Sequence, residues 1–302
     1  MYYNVCIDPR KNEKEYRKMK IGLFSRLAVI LTTITAILCS LLGIPYYASG
    51  ERLDMSKFEL SFEDEFDTLD RSVWSGHYTY GDGDHVRRGG YWNSELAYAA
   101  DGVLTIPMMY RESGLSSGGA GWYSAGIDTD DDAPNGFSQK YGYFEVRCIL
   151  PKCADCWAAF WLLNDGAFNV GSEGRDGTEI DVFESAHYGE SRSNVISSNL
   201  HYDGYEADHR MLGAKKFLVK GDPYSEFNTY GVEWNEKEYI FYINGVESFR
   251  TDFGGVSQEP EYMILSLEVS GDDGVFSGKS ADKTQEYDFI VDYVRAYKYK
   301  DA

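Results

Sequence analysis

From Phe58 onward the chain is a succession of short β-patterned runs divided by turns, and this pattern constrains the fold more than any other feature. FELSFEDEF, GVLTIPMMY, YGYFEVRCIL, TEIDVFES, VISSNLHYDG, NTYGVEWNE, YIFYINGVESF, YMILSLEVSG and YDFIVDYVRAYKY alternate in polarity or are rich in β-branched and aromatic residues. Asn244-Gly245 between two such runs marks a hairpin turn. Residues 206–218 are the one stretch that reads as a short helix. No long amphipathic helix alternates with the strands, which argues against a parallel α/β fold. The pattern therefore predicts an all-β chain: one sandwich of two antiparallel sheets over 51–302, with no internal linker or repeat.

The N-terminal fifty residues differ in character. A basic region, 1–20, carries KNEKEYRKMK, and an apolar segment follows over 21–47. Leu27 to Ile44 is 18 residues long, at the short edge of what spans a bilayer. This is the pattern of a cleaved signal sequence or of a membrane anchor, with Ala48-Ser49-Gly50 as a small-residue cleavage site. Met19 opens a segment that reads as a more ordinary signal sequence, so either Met1 or Met19 fits as the start. Both readings predict an apolar N-terminal helix and place the remainder outside the cell.

Residues 51–302 hold 46 acidic against 22 basic side chains, a net charge of −24. Such a domain repels nucleic acid and anionic membrane surfaces, and contact with a membrane is expected only through the N-terminal segment. A neutral partner suits it better, and a monomer is expected. Outside the leader the cysteines are Cys148, in phase with an alternating strand, and the lone pair Cys153 and Cys156. A zinc site would need two further ligands, so the pair reads as a loop disulfide or as free thiols.

TEIDVFES, residues 178–185, carries the chemistry. Glu179 and Asp181 share a face in a regular strand, whereas Glu184 would point away. One extra residue at Val182-Phe183, a β-bulge, returns Glu184 to the face of the other two. The glutamate Cα atoms would then lie roughly 13 Å apart, at ~3.3 Å per residue. Side chains reaching toward each other close that to about 5 Å, the separation of the carboxyl pair in a retaining glycosidase. Asp181 between them would bias the two acids toward different protonation states. Three carboxylates also suit a cation, but the flanking Trp and Tyr residues suit a sugar better.

EIDVFE resembles the bulged E-I-D-x-x-E motif of glycoside hydrolase family 16, which includes laminarinases, lichenases, agarases and carrageenases. The similarity extends through FELSFEDEFDTLDRSVW, GVLTI, KYGYFEVRCILPKCADCWAAFWLL, YGVEWNEKEYIFYINGV and YDFIVDYVRAYKY, nearly all of 58–299. It implies a β-jelly roll with a concave substrate cleft. It further implies Glu179 as nucleophile, Glu184 as general acid/base and Asp181 as their assistant, with no cofactor for catalysis. Trp92, Trp157 and Trp161 are candidate sugar platforms, Asn93 a sugar-binding position, and His201 a candidate cleft residue. Trp74 and Trp234 read as core. A structural calcium is implied at the Glu65 backbone, the Gly102 carbonyl and the Asp292 carboxylate. By contrast, DTDDDAPNGFSQ fails as an EF-hand, with Ala133 and Gln139 at positions that need Gly and Glu, and reads as a solvated loop.

The expectation is an endo-acting β-glucanase cleaving β-1,3 or mixed β-1,3/1,4 linkages of a neutral polysaccharide. A galactan hydrolase of agar or carrageenan type is the alternative, with Arg87, Arg88 and Arg192 as the basic residues near the cleft. Transglycosylation shares the same covalent intermediate. A non-catalytic recognition protein fits less well, because both glutamates are kept. MILSLEVSGDDG lacks the tryptophan that many laminarinase-like members carry after this strand. The Gly-rich loops 76–91 and 111–126 are expected to shape the cleft.

Overall fold

The computed structural model describes residues 30–31, 33–76, 83–186, 188, 194–269 and 280–300. The basic region 1–20 and residues 21–29 of the apolar segment lie outside them. Within the segment, the described residues of 30–41 are helical, and Ile34, Leu38 and Leu41 are exposed. No helix among the described residues is long and apolar enough to cross a membrane. Residues 47–302 form a separate unit, described next.

That unit is built from two sheets. One runs in the order Lys215–Leu218, Val195–Tyr202, Glu179–Ser185, Cys156–Leu163, Glu261–Val269 and Gly126–Asp128. The other begins with Val246–Thr251, Tyr239–Ile243, Asn228–Trp234 and Gly142–Ile149, and continues through Tyr287–Tyr299, Val103–Arg111, Gly121–Ser124, Gly90–Trp92 and His85–Arg87. Among the described residues, the pairings of these strands are antiparallel except that of Gly90–Trp92 with Gly121–Ser124. The all-β sandwich is as expected, with one parallel pair added.

Alternation builds the core between the sheets. Phe144, Val146 and Cys148 point inward at every second position of their strand and are fully buried. From the opposite sheet Phe183 reaches across, its ring 4.6 Å from that of Tyr230 and 6.0 Å from that of Phe289. Trp74 and Trp234 are fully buried.

Two local expectations are corrected. Residues 206–218 form no helix. Arg210–Met211 pairs with Tyr202 and His201, and Lys215–Leu218 with Val195–Ser198. The exposed edge of that strand needs backbone partners that only strands supply, and Gly213 at φ +81° is incompatible with helix. The stretch 128–139 is not all solvated: Asp128 is fully buried and accepts a hydrogen bond from Ser75 Oγ at 2.8 Å. The two Gly-rich loops contain strands of the second sheet, which hold Arg87 and Arg88 beside the cleft. Cys153 and Cys156 are buried free thiols.

Candidate active site

The bulge is present. Along the pair formed with Cys156–Leu163, Phe160 lies opposite Phe183 while Trp161 lies opposite Asp181, so Val182 is the extra residue. The same shift separates Asp181 from Glu184 in the register with Val195–Tyr202. It sends Phe183 into the core and returns Glu184 to the face of Glu179 and Asp181. The three carboxylates line one cleft with Trp157 and Trp161, and Arg87, Arg88, Ala159, Ser266 and Glu268 also line it.

Each acid has distinct partners. Glu179 Oε2 accepts a hydrogen bond from the Tyr205 hydroxyl, and its Oε1 lies 3.9 Å from His201 Nε2. Asp181 Oδ2 lies 3.4 Å from the same nitrogen and accepts no hydrogen bond among the described residues. Glu184 Oε1 accepts a hydrogen bond from Trp157 Nε1 at 3.0 Å.

Electrostatics follow from burial and crowding. Burial, then the charge of Asp181, pushes the Glu179 carboxyl up to about 7, against the opposing effects of His201, Tyr205 and Arg87. Burial, then Asp181 and Glu179, raises Glu184 well above the usual carboxylate range, with the Trp157 hydrogen bond opposing. For His201, burial lowers the pKa, but contact with Asp181 and the charges of Asp181 and Glu179 outweigh it, and the net shift is upward. The cluster thus holds protons at neutral pH that isolated carboxylates would release.

The tryptophans and Asn93 have partners that local sequence does not reveal. The Arg87 guanidinium lies 4.5 Å from the centre of the Trp92 ring, and that of Arg88 lies 4.1 Å from the Trp157 ring. Both arginines place Nε on the carboxylate of Glu268, which is only 5% exposed. Trp92 is buried, and its Nε1 donates to the Leu267 carbonyl. Trp161 Nε1 donates to Ser266 Oγ at 3.1 Å. Asn93 is buried away from the cleft lining, with its amide donating to Asp84 Oδ1 at 2.7 Å.

Sequence reasoning missed Glu268, Tyr205 and His209. Glu268 had a readable signal, since it falls two positions after Ser266 on the cleft face of a strand that is mostly apolar between Tyr262 and Val269. Tyr205 and His209 belong to a loop and carried no periodic signal.

Glu179, Asp181 and His201 bring ligand-type atoms within 4.8 Å of one another. Distance alone assigns no cation there, because Tyr205 already binds Glu179, and the His201 ring is engaged on both nitrogens. At the expected calcium position, Asp292 is bound by the Arg147 guanidinium. That carboxylate oxygen is already engaged, and no role is derived for calcium.

Comparison with known proteins bears on the family and the fold. The chain is 28% identical over 273 residues to the Endo-1,3-1,4-beta-glycanase EglC of Rhizobium meliloti, covering 81% of this chain and 53% of that protein. It therefore spans about half the length of that relative. It is 25% identical over 308 residues to a Beta-glucanase of Rhodothermus marinus, covering 93% and 97% of the two chains. The structure of the catalytic domain of an endo-1,3-beta-glucanase (laminarinase) from Thermotoga petrophila superposes with a TM-score of 0.63 at 23% identity, covering 81% of this chain and 99% of that one. The profile of the Glycosyl hydrolases family 16 matches residues 92–295, more than half of the sequence, and the chain belongs to that family.

Proposed function

We propose that the protein is an exported, retaining endo-β-glucanase that hydrolyses β-1,3 or mixed β-1,3/1,4 linkages. The observation that carries this reading is the bulge at Val182, which gathers Glu179, Asp181 and Glu184 on one cleft floor. In the first step Glu179 attacks the anomeric carbon, and the bond to the leaving oxygen breaks as Glu184 gives that oxygen its proton. In the second, Glu184 takes a proton from water, which attacks the same carbon and releases Glu179. The raised Glu184 carboxyl suits the first role, while the Tyr205 hydrogen bond favours the charged form of Glu179. The glucan-active relatives support the substrate class, and the leader-like segment over 21–47 supports export or anchoring with the catalytic unit outside.

A second reading, a galactan of agar or carrageenan type as substrate, rests on Arg87 and Arg88 in the cleft wall. Reducing-end release from laminarin, lichenan, agarose and carrageenan separates the two, with Glu179→Gln as control. Release from a β-glucan that disappears in the variant supports the first reading. Release from a galactan alone overturns it, and binding without release overturns the hydrolase mechanism.

A further inference from the structure

The imidazole of His201 stands between the nucleophile strand and a loop, and both ring nitrogens are engaged. Asn199 Nδ2 lies 2.7 Å from Nε2, and His209 Nε2 lies 2.8 Å from Nδ1. An amide nitrogen only donates, so in the neutral ring Nε2 accepts and the proton resides on Nδ1. That proton is then donated to His209. Asn199 is held in this orientation because its Oδ1 accepts from the Leu200 amide at 3.0 Å.

The chain places His209 by a tight return. Asp203 at φ +60° and Gly204 at φ +71° reverse the chain directly after the strand ends, and Arg210–Met211 then pairs back onto Tyr202 and His201. Left-handed backbone at a non-glycine residue costs about 1 kcal/mol or more and recurs where a site over-determines the chain. Here the return brings Tyr205 to Glu179 and His209 to His201.

We propose that His209 is a positioning residue: by accepting the Nδ1 proton of His201, it fixes Nε2 toward Asp181 and Glu179. The proposal rests on the glycosidase reading for its catalytic consequence. When His201 takes a second proton, Nε2–H has an acceptor waiting in Asp181 Oδ2, 3.4 Å away. His209 then satisfies Nδ1–H, while Nε2–H must displace the Asn199 amide donor to reach Asp181, and the imidazolium charge lies beside Glu179. This favours the ionised nucleophile without His201 touching substrate. The groups facing this ring are Glu179 and Asp181 from the catalytic strand, Asn199 from its own strand, and Tyr205 and His209 from the loop, with Arg210 acting on His209. Burial, His201 and Arg210 lower the pKa of His209, which keeps it the acceptor of the pair.

The test compares the full chain with His209→Leu and His209→Gln, reading the ¹⁵N ring shifts of His201 and the pH profiles of kcat and KM on laminarin. The wild type is expected to show the Nδ1–H form of neutral His201. His209→Leu shifts the ring toward Nε2–H and lowers kcat about tenfold, the rate equivalent of one hydrogen bond, with KM unchanged. The Gln carboxamide oxygen accepts the same proton, so His209→Gln recovers most of kcat. A neutral Nε2–H ring in the wild type overturns the proposal, as does a His209→Leu chain with unaltered kcat and pH profile. If His209→Leu does not fold, the wild-type ring shifts and His209→Gln decide. The ring shifts need no turnover, so absence of activity on laminarin would count against the glucanase reading alone.

Discussion

Trp157 Nε1 donates a hydrogen bond to Glu184 Oε1, tying an indole of one strand to the acid of its neighbour. The bond stabilises the carboxylate and opposes the burial and the Asp181 and Glu179 charges that raise Glu184. Trp157→Phe removes the donor and keeps most of the ring. Glu184 then holds its proton more tightly, and the basic limb of the kcat/KM profile moves to higher pH. With the carboxyl less firmly fixed, kcat falls by roughly three- to tenfold. A basic limb that stays in place, or moves to lower pH, contradicts this assignment of Glu184.

Glu179 links turnover to stability with opposite signs. Its folded pKa is raised from 4.5 to about 7, so its contribution favours the fold below about 4.5 and is lost as pH rises through about 7. Glu179→Gln cannot ionise. It is expected to match the wild type in melting temperature near pH 4 and to exceed it by several degrees near pH 8. Turnover meanwhile falls by roughly 10²- to 10⁴-fold or more. Melting curves at pH 4, 6 and 8 check the first statement, and a variant less stable than wild type at pH 8 contradicts it.

Glu261 gives the contrasting case away from the cleft lining. It is fully buried, Oε1 accepts from the Thr178 amide at 3.2 Å, and Oε2 accepts no hydrogen bond among the described residues. Burial pushes its carboxyl up to about 8; hydrogen bonds from Ser257 and Thr178 oppose that, and the Glu179 charge adds to it. The sign is the same: the stabilising contribution is present below about 4.5 and lost as pH rises through about 8. Glu261→Gln is expected to flatten the fall in stability above neutral pH, an effect on the order of a few kcal/mol, and to retain activity. An unchanged pH dependence of unfolding is the outcome that rejects it.

The parts of this protein that could be read from sequence are those governed by neighbours along the chain. The spacing of Glu179, Asp181 and Glu184 implies the bulge because a strand permits only two faces, and Phe183 must leave one for the other. The parts that could not be read depend on residues far apart in sequence. Arg87 and Arg88 reach Glu268 across some 180 positions and cover the rings of Trp92 and Trp157, which local sequence presents as open platforms. Asn93 is taken by Asp84, a partner with no periodic relationship to it. The helical reading of 206–218 failed for a similar reason: its composition permits helix, but the vacant edge of Val195–Tyr202 dictates strand.

The inserted residue Val182 has a consequence for how errors in this molecule show themselves. Running the strand straight through Val182 without the bulge would impose strict alternation, turn Glu184 toward the interior and expel Phe183 from between Tyr230 and Phe289. An ionisable acid would then replace an aromatic ring in the core. A chain that misregisters this strand therefore cannot persist as a folded but inactive copy; it loses its packing with its chemistry. Proteolytic clearance of unfolded molecules would serve at the same time as proofreading of the active site.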